Sequence, residues 1–280
     1  MNRLQQICIV MAMMLGTATK RAFPAEFMAG VAAVDITPPL GLPLAGYYHE
    51  RLADGVLDPL FAKALVIRSG NDHAVVVALD LIEVPVNVTE RTRQRIEKST
   101  GIKPHHVMIA ATHTHTGPVL AKEDTYNEAY GGLKPPSIQY TEHLPELIEE
   151  AIKTALLRLQ PVKLNIARGK CDGLAFNRRY FMRDGTVGWN PGKLNPNIMM
   201  PAGPTDPEVR MLSVTPADAS FPAQCLATYV NFAMHTDTTG GNKYSADWPG
   251  ALDRTLAGWF GTNHITLLGN GTCGNINHVD

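Results

Sequence analysis

Apolar positions along this chain fall into short continuous runs punctuated by Gly, Pro, Asn and Asp, with stretches at helical spacing between them. Met28–Ile36, Ala62–Arg68 and Ala74–Leu81 are rich in alanine and β-branched residues and predict strands. The first ends at Thr37-Pro38-Pro39, where two prolines stop a ladder, and Ser69-Gly70-Asn71-Asp72 joins the other two as a hairpin signal. Asn87–Thr100 predicts a helix, with Glu90 placed as in a capping box and Gly101 as the stop. Tyr140–Arg158 predicts a second, because Leu144, Leu147, Ile148, Ile152 and Leu156 recur at three- and four-residue spacing. Between them Ala121–Ser137 predicts an irregular loop. Val162–Arg168, Val209–Thr215, Gln224–Ala233 and His264–Leu268 predict further strands, with Trp189–Pro207 a long loop and Asp253–Phe260 a late helix. Alternating strands and helices, together with adjacent strand pairs, predict an α/β domain of mixed β-sheets flanked by helices.

Candidate chemistry sits where the apolar runs stop. Val107–Ala111 leads into Thr112-His113-Thr114-His115-Thr116-Gly117-Pro118. Continuing the strand through this run places His113 and His115 on one face and the threonines on the other. Neutral imidazole is a good zinc ligand, but two ligands leave a tetrahedral site incomplete. His235 follows the apolar run Cys225–Met234 and, like His113, precedes a threonine, so two strand ends point to one shared site. Solvated or core-satisfied histidines are the competing reading of these residues alone. Arg178, in Phe176-Asn177-Arg178, has the fork to hold a carbonyl or carboxylate, against an ordinary surface ion pair. Asp247 reads as a helix cap rather than a ligand. The glycine-rich run Leu268–Asn277 reads equally as amides able to hold an oxyanion or as a plain turn. Cys273 within it reads as a structural thiol. His49, His73, His105, His106, His143, His264 and His278 have no such context and read as ordinary histidines.

Composition narrows the classes. With 280 residues, 45% of them hydrophobic, the chain can bury the core of one large domain or two small ones. Lys and Arg total 25 against 26 Asp and Glu, giving a net charge of -1 without a basic footprint, which argues against a nucleic-acid partner. Residues 1–25 carry Arg3 and then the apolar run Ile7–Leu15, and read as a secretory signal peptide, with a membrane anchor as the competing reading. The mature protein is then expected to be secreted, periplasmic or extracellular. Cleavage removes Cys8 and leaves Cys171, Cys225 and Cys273, room for one disulfide but no framework.

Over nearly all of the mature chain the sequence resembles the N-terminal catalytic domain of the neutral/alkaline, non-lysosomal ceramidases. The anchors are Val34-Asp35-Ile36-Thr37-Pro38, Gly46-Tyr47, Ala110-Ala111-Thr112-His113-Thr114-His115-Thr116-Gly117-Pro118, Asn177-Arg178, Ala233-Met234-His235 and the glycine-rich run near the end. The resemblance implies a ceramidase-like catalytic domain over residues 26–280, incomplete at its C-terminus. It also implies Zn2+ held by His113 and His235 together with a glutamate and a tyrosine from beyond Asp280, and His115 and Arg178 as catalytic residues. The activity it implies is cleavage of the N-acyl amide of ceramide or a related lipid amide, with the substrate presented at a membrane surface. One position departs from the family. Asn277 stands where ceramidases carry a serine assigned as nucleophile, and an amide cannot replace it in that role. A zinc hydrolase of another amide or ester, and an inactive secreted binding protein on the same scaffold, are the alternatives.

Overall fold

The computed structural model describes residues 27–122, 125–219 and 224–278, so the predicted signal peptide lies outside the described residues. The strands β1 (Phe27–Asp35), β2 (Gly55–Val56), β3 (Phe61–Ser69) and β4 (Asp72–Leu79) come first. Helix α1 (Val86–Thr100) and β5 (Val107–Ala111) follow, then α2 (Thr125–Ala129), α3 (Pro135–Leu157) and β6 (Gln160–Lys170). Four short strands come next: β7 (Phe176–Asn177), β8 (Arg179–Met182), β9 (Val187–Trp189) and β10 (Ile198–Pro201). The chain continues through β11 (Glu208–Pro216), β12 (Ala227–Phe232), β13 (Lys243–Tyr244), α4 (Asp247–Phe260), β14 (Ile265–Asn270) and β15 (Ile276–Asn277).

Eight strands form one mixed sheet in the order β14-β12-β11-β6-β1-β3-β4-β5, in which only β12–β14 and β4–β5 are parallel. Both parallel pairs arise from a helical crossover, α4 and α1 respectively, as a parallel connection requires. The sheet is rolled, because β14 at one edge also contacts β3, β4 and β5 toward the other. Inside the roll Ala29, Val31, Leu65, Ala78, Val162, Val214, Ala227 and Leu267 form one apolar cluster. The outer face of β1, β3 and β4 packs on α3 through Leu144, Ile148, Ile152 and Ala155. Alternate residues of each strand thus serve two cores, which explains why the runs read as continuously apolar. Among the described residues no helix is long and apolar enough to cross a membrane.

The structure revises several expectations. Helix α1 starts after Pro85 with no side-chain cap, and the Asn87 carboxamide accepts only from the amide of Val88, so the capping box does not form. Gly101 does end it, in the left-handed conformation at φ 78. The loop predicted over Ala121–Ser137 contains α2 and the start of α3, which Pro135 and Pro136 open. Proline suits the first turn because its missing N–H would have no partner there. Within the predicted loop Trp189–Pro207 lie the end of β9 and all of β10, which join β8 in the small sheet β10-β8-β9, and β7, in a stretch given no element, pairs with β15. Cys171, Cys225 and Cys273 are free.

Candidate metal and catalytic site

Strand β5 ends at Ala111, two residues before His113, so strand alternation does not bring the histidines together. His113 turns into the left-handed region at φ 72, an unusual state for a residue with a Cβ. The segment is held in that turn by backbone bonds from Thr112 N to Leu79 O and from His113 N to Leu81 O. Thr114, Thr116 and Thr236 are buried and act as ties. Thr114 and Thr116 both donate their hydroxyls to the Ser245 carbonyl, and Thr236 donates to Thr112 O at 2.7 Å. The backbone of His115 donates to Thr236 O, and the Asn270 side chain also reaches Thr112 O. These bonds join the end of β5 to the ends of β12 and β14, where the rolled sheet brings its edges together.

His113, His115 and His235 meet at this seam. Their ligand nitrogens all lie within 4.8 Å of one another, with His115 Nε2 at 3.4 Å from His113 Nε2 and 3.0 Å from His235 Nε2. His113 Nδ1 donates to Ile82 O at 2.8 Å, and His235 Nδ1 donates to Cys273 O at 3.1 Å. A carbonyl only accepts, so both rings carry hydrogen on Nδ1 and turn a lone pair at Nε2 toward the centre. That second-sphere pattern is the one that orients metal-binding histidines. His115 differs, since its buried Nδ1 has no hydrogen bond and faces Asp237 Oδ1 at 3.8 Å. Burial, then the adjacent rings of His113 and His235, pushes the His115 imidazole down to about 3. Burial likewise pushes His235 down to about 4. Neutral rings with converging lone pairs repel unless a proton or a metal ion lies between them, so this donor set fits a divalent metal such as zinc.

Around the trio the structure places residues that sequence reasoning had passed over. Tyr47 Oη donates to Asp237 Oδ1 at 3.2 Å, and the Arg51 guanidinium stacks 3.8 Å over the Tyr47 ring. Arg51 also donates to the carbonyls of Ala45 and His115, pinning the 45–51 loop to the histidine turn. His278, read as ordinary, is close enough to act electrostatically on His235 and Asp237, and its Nδ1 is buried without a partner. No local motif marks Tyr47, Arg51 or Asp237, because their partners lie far away in sequence. Gly46-Tyr47 was visible as a turn but carried no chemical signal.

Arg178 lies on the same cleft as predicted. Its Nε and Nη2 donate to Gly274 O at 3.1 and 2.6 Å, its Cζ stacks 4.0 Å from the Trp189 ring, and its positive charge disfavours protonation of both His115 and His235. The glycine-rich loop supplies the carbonyls of Gly274 and Cys273 that hold Arg178 and His235. Cys273 is kept as a thiol by burial. Asn277 lies at the rim beside Arg178 and Asn190. Asp247, read as a helix cap, is instead the first residue of α4, whose N-cap is Ala246 with no side-chain cap. Its carboxylate accepts from Thr238 N, Thr238 Oγ1, Thr239 N and Trp248 N, fixing the loop that follows His235. The cleft enclosing the three histidines has a volume of about 640 Å³, and Tyr47, Tyr48, Tyr130, Ile82, Leu120 and Trp189 give it a mixed aromatic and aliphatic wall.

Comparison with known proteins identifies the fold and the family. Two solved structures share the fold. A neutral ceramidase from Pseudomonas aeruginosa superposes with a TM-score of 0.74 at 22% identity, over 90% of this chain and 39% of that one. A ceramidase complexed with C2 superposes with a TM-score of 0.71 at 22% identity, over 91% and 39%. The chain spans about two fifths of the length of these structures. The family model for the neutral/alkaline non-lysosomal ceramidase N-terminal region matches residues 27–193, more than half of the sequence. The chain belongs to the neutral/alkaline non-lysosomal ceramidase family.

Proposed function

We propose that this chain is the N-terminal catalytic part of an exported, zinc-dependent amidohydrolase that cleaves the N-acyl amide of ceramide or a related lipid amide. The observation that carries the proposal is the convergence of three imidazole nitrogens, two of them with Nδ1 bound to a carbonyl. His113 and His235 are the ligands, because their rings are fixed in the tautomer that leaves Nε2 free to bind metal. Zinc supplies a Lewis acid for the amide carbonyl and for a water. The family resemblance assigns the remaining ligands to residues beyond Asp280. His115, the ring not tied to a carbonyl, moves protons between its imidazole, the water and the leaving amine. Arg178 is anchored through Nε and Nη2, which leaves Nη1 to hold a substrate oxygen as negative charge develops on it.

The deciding experiment measures zinc by elemental analysis, together with hydrolysis of a panel of N-acyl sphingosines, on the full-length protein and on a His113→Ala/His235→Ala variant. One zinc per chain, lost with activity in the variant, supports the proposal. A metal-free, inactive full-length protein overturns it and leaves a binding protein on this scaffold. A second reading rests on Asn277, which stands at the family serine. Zinc-dependent hydrolysis of other acyl amides or esters, without action on ceramide, would favour it. Export is tested by fractionating cells that express the full-length chain.

A further inference from the structure

A second cavity, of about 670 Å³, lies between the turn before β3, the ends of β3 and β4 and the first half of α4, and it shares no lining residue with the histidine cleft. Four carboxylates line it, Asp58, Asp80, Asp247 and Asp253, against the two bases Lys63 and Arg254. Three of the four acids are satisfied within the chain. Asp58 accepts from the Ser245 hydroxyl, the Ala246 amide and Arg254. Asp253 accepts from the Thr266 amide and from the Lys63 ammonium at 2.8 Å, and the donors to Asp247 are those given above. Both bases are therefore engaged. Asp80 is the exception: it is 1% exposed, Oδ2 accepts from the Phe61 amide, and Oδ1 has no hydrogen-bond partner. The Phe61 bond needs only an acceptor, which a neutral amide side chain would supply, so it does not account for a buried acid at this position. A buried charge without its partners costs stability, and one kept beside a cavity points to a ligand.

We propose that this cavity binds an aliphatic primary amine in its ammonium form, with the ammonium donating to Asp80. Charge sets the sign of the ligand, because four acids face two bases and neither base is free to meet an anion. Hydrogen bonding sets its type: Oδ1 needs a donor, an ammonium carries three, and a charged donor makes the stronger bond. A bare divalent ion needs several ligands converging on one point, and among the described residues only the histidine trio brings three such groups within 4.8 Å. The walls suit a carbon chain. Phe61 and Trp248 offer aromatic surface beside the charge, Leu57 and Pro59 offer aliphatic surface, and the volume is that of an organic-ligand pocket. Free amines and the amine half of a cleaved lipid amide share this ammonium.

The test is isothermal titration calorimetry of the full-length protein with n-butylammonium chloride at pH 8, above the titration of Asp80 at about 6, and at constant ionic strength. Saturable binding is expected. n-Butanol, which lacks the charge, and tetramethylammonium, which lacks N–H donors, should not bind. Asp80→Asn should weaken binding about tenfold or more, and since it removes a buried charge the variant should remain folded, as its thermal unfolding reports. Ala251→Trp, from an exposed position on α4 that lines the cavity, should block binding by filling the space. Neither residue lines the histidine cleft. Putrescine and aminopropanediol separate the two sources of ligand: preference for the aminodiol assigns the site to the amine half of a lipid amide, preference for the diamine to a free amine, and either upholds it. Absence of saturable binding to the full-length protein, equal binding of tetramethylammonium, or binding indifferent to Asp80→Asn overturns the proposal.

Discussion

Gly46 lies directly against His115: a Cβ built on the glycine falls 2.5 Å from both Cβ and Cγ of the histidine. Gly46 also has φ +97, where L side chains are strained. Gly46→Ala therefore has two costs, and both act on the ring nearest Asp237. It should lower unfolding stability by about 1–3 kcal/mol and reduce kcat about tenfold or more with zinc retained. Urea denaturation and steady-state kinetics of the full-length protein measure these effects. A variant with wild-type kcat would show that His115 does not need this close support.

Asp237 stands 3.8 Å from the one imidazole nitrogen of the trio that has no hydrogen bond. Its other anchor is the Tyr47 hydroxyl. Asp237→Asn keeps the shape and removes the charge that orients His115. The expected outcome is a fall in kcat of about tenfold or more with KM and zinc content unchanged. Tyr47→Phe should have the same direction and a smaller size. Steady-state kinetics on zinc-loaded protein separates the cases, and an effect confined to KM would refute the positioning role.

Asp80, at the end of β4, is fully buried, and only one of its oxygens has a partner, the amide of Phe61. Burial pushes its carboxyl from 3.8 up to about 6, with Lys63 acting in the opposite direction. A raised carboxyl binds protons more tightly in the folded state. Its stabilising contribution is complete below pH 3.8 and is lost as pH rises through 6. Asp80→Asn should thus raise stability at pH 8 by about 3 kcal/mol and have no stabilising effect at pH 3.5. Thermal unfolding across that pH range provides the check. Equal effects at both ends would contradict the burial argument.

Arg178→Lys retains the charge but loses the fork on Gly274 O and the flat stack on Trp189. We expect kcat/KM to drop about 10²-fold with zinc retained. An unchanged kcat/KM would remove Arg178 from the oxyanion role.

Much of the fold was legible where one property dominated locally. The strand runs at 28–36, 62–68 and 74–81 and the helix around Leu144–Leu156 lie close to their observed bounds, because both sheet faces and one helix stripe are apolar. The β8–β9 hairpin was overlooked although Asp184-Gly185 between Tyr180-Phe181-Met182 and Val187-Gly188-Trp189 is a recognised turn signal. Its exposed apolar face lacks the alternation that usually marks a strand. At the site, residue types were legible but conformation was not. His113 and His115 were correctly placed together, yet through a left-handed turn rather than strand geometry. Asp237, Tyr47 and Arg51 join the site only through contacts that follow from the rolled sheet, and no local pattern records them.

The hydroxyl of Thr236 and the carboxamide of Asn270 both reach the carbonyl of Thr112, spanning 124 and 158 residues of chain. During synthesis, a nascent polypeptide that has emerged only as far as α3 already contains His113 and His115, but they have nothing to close upon. The reaction centre appears only when β12 and β14 have emerged and zipped against the first half. Any metal uptake through His113 and His235 therefore waits for β12 and β14, and a ribosome-stalled chain ending before residue 230 should take up no zinc by this route.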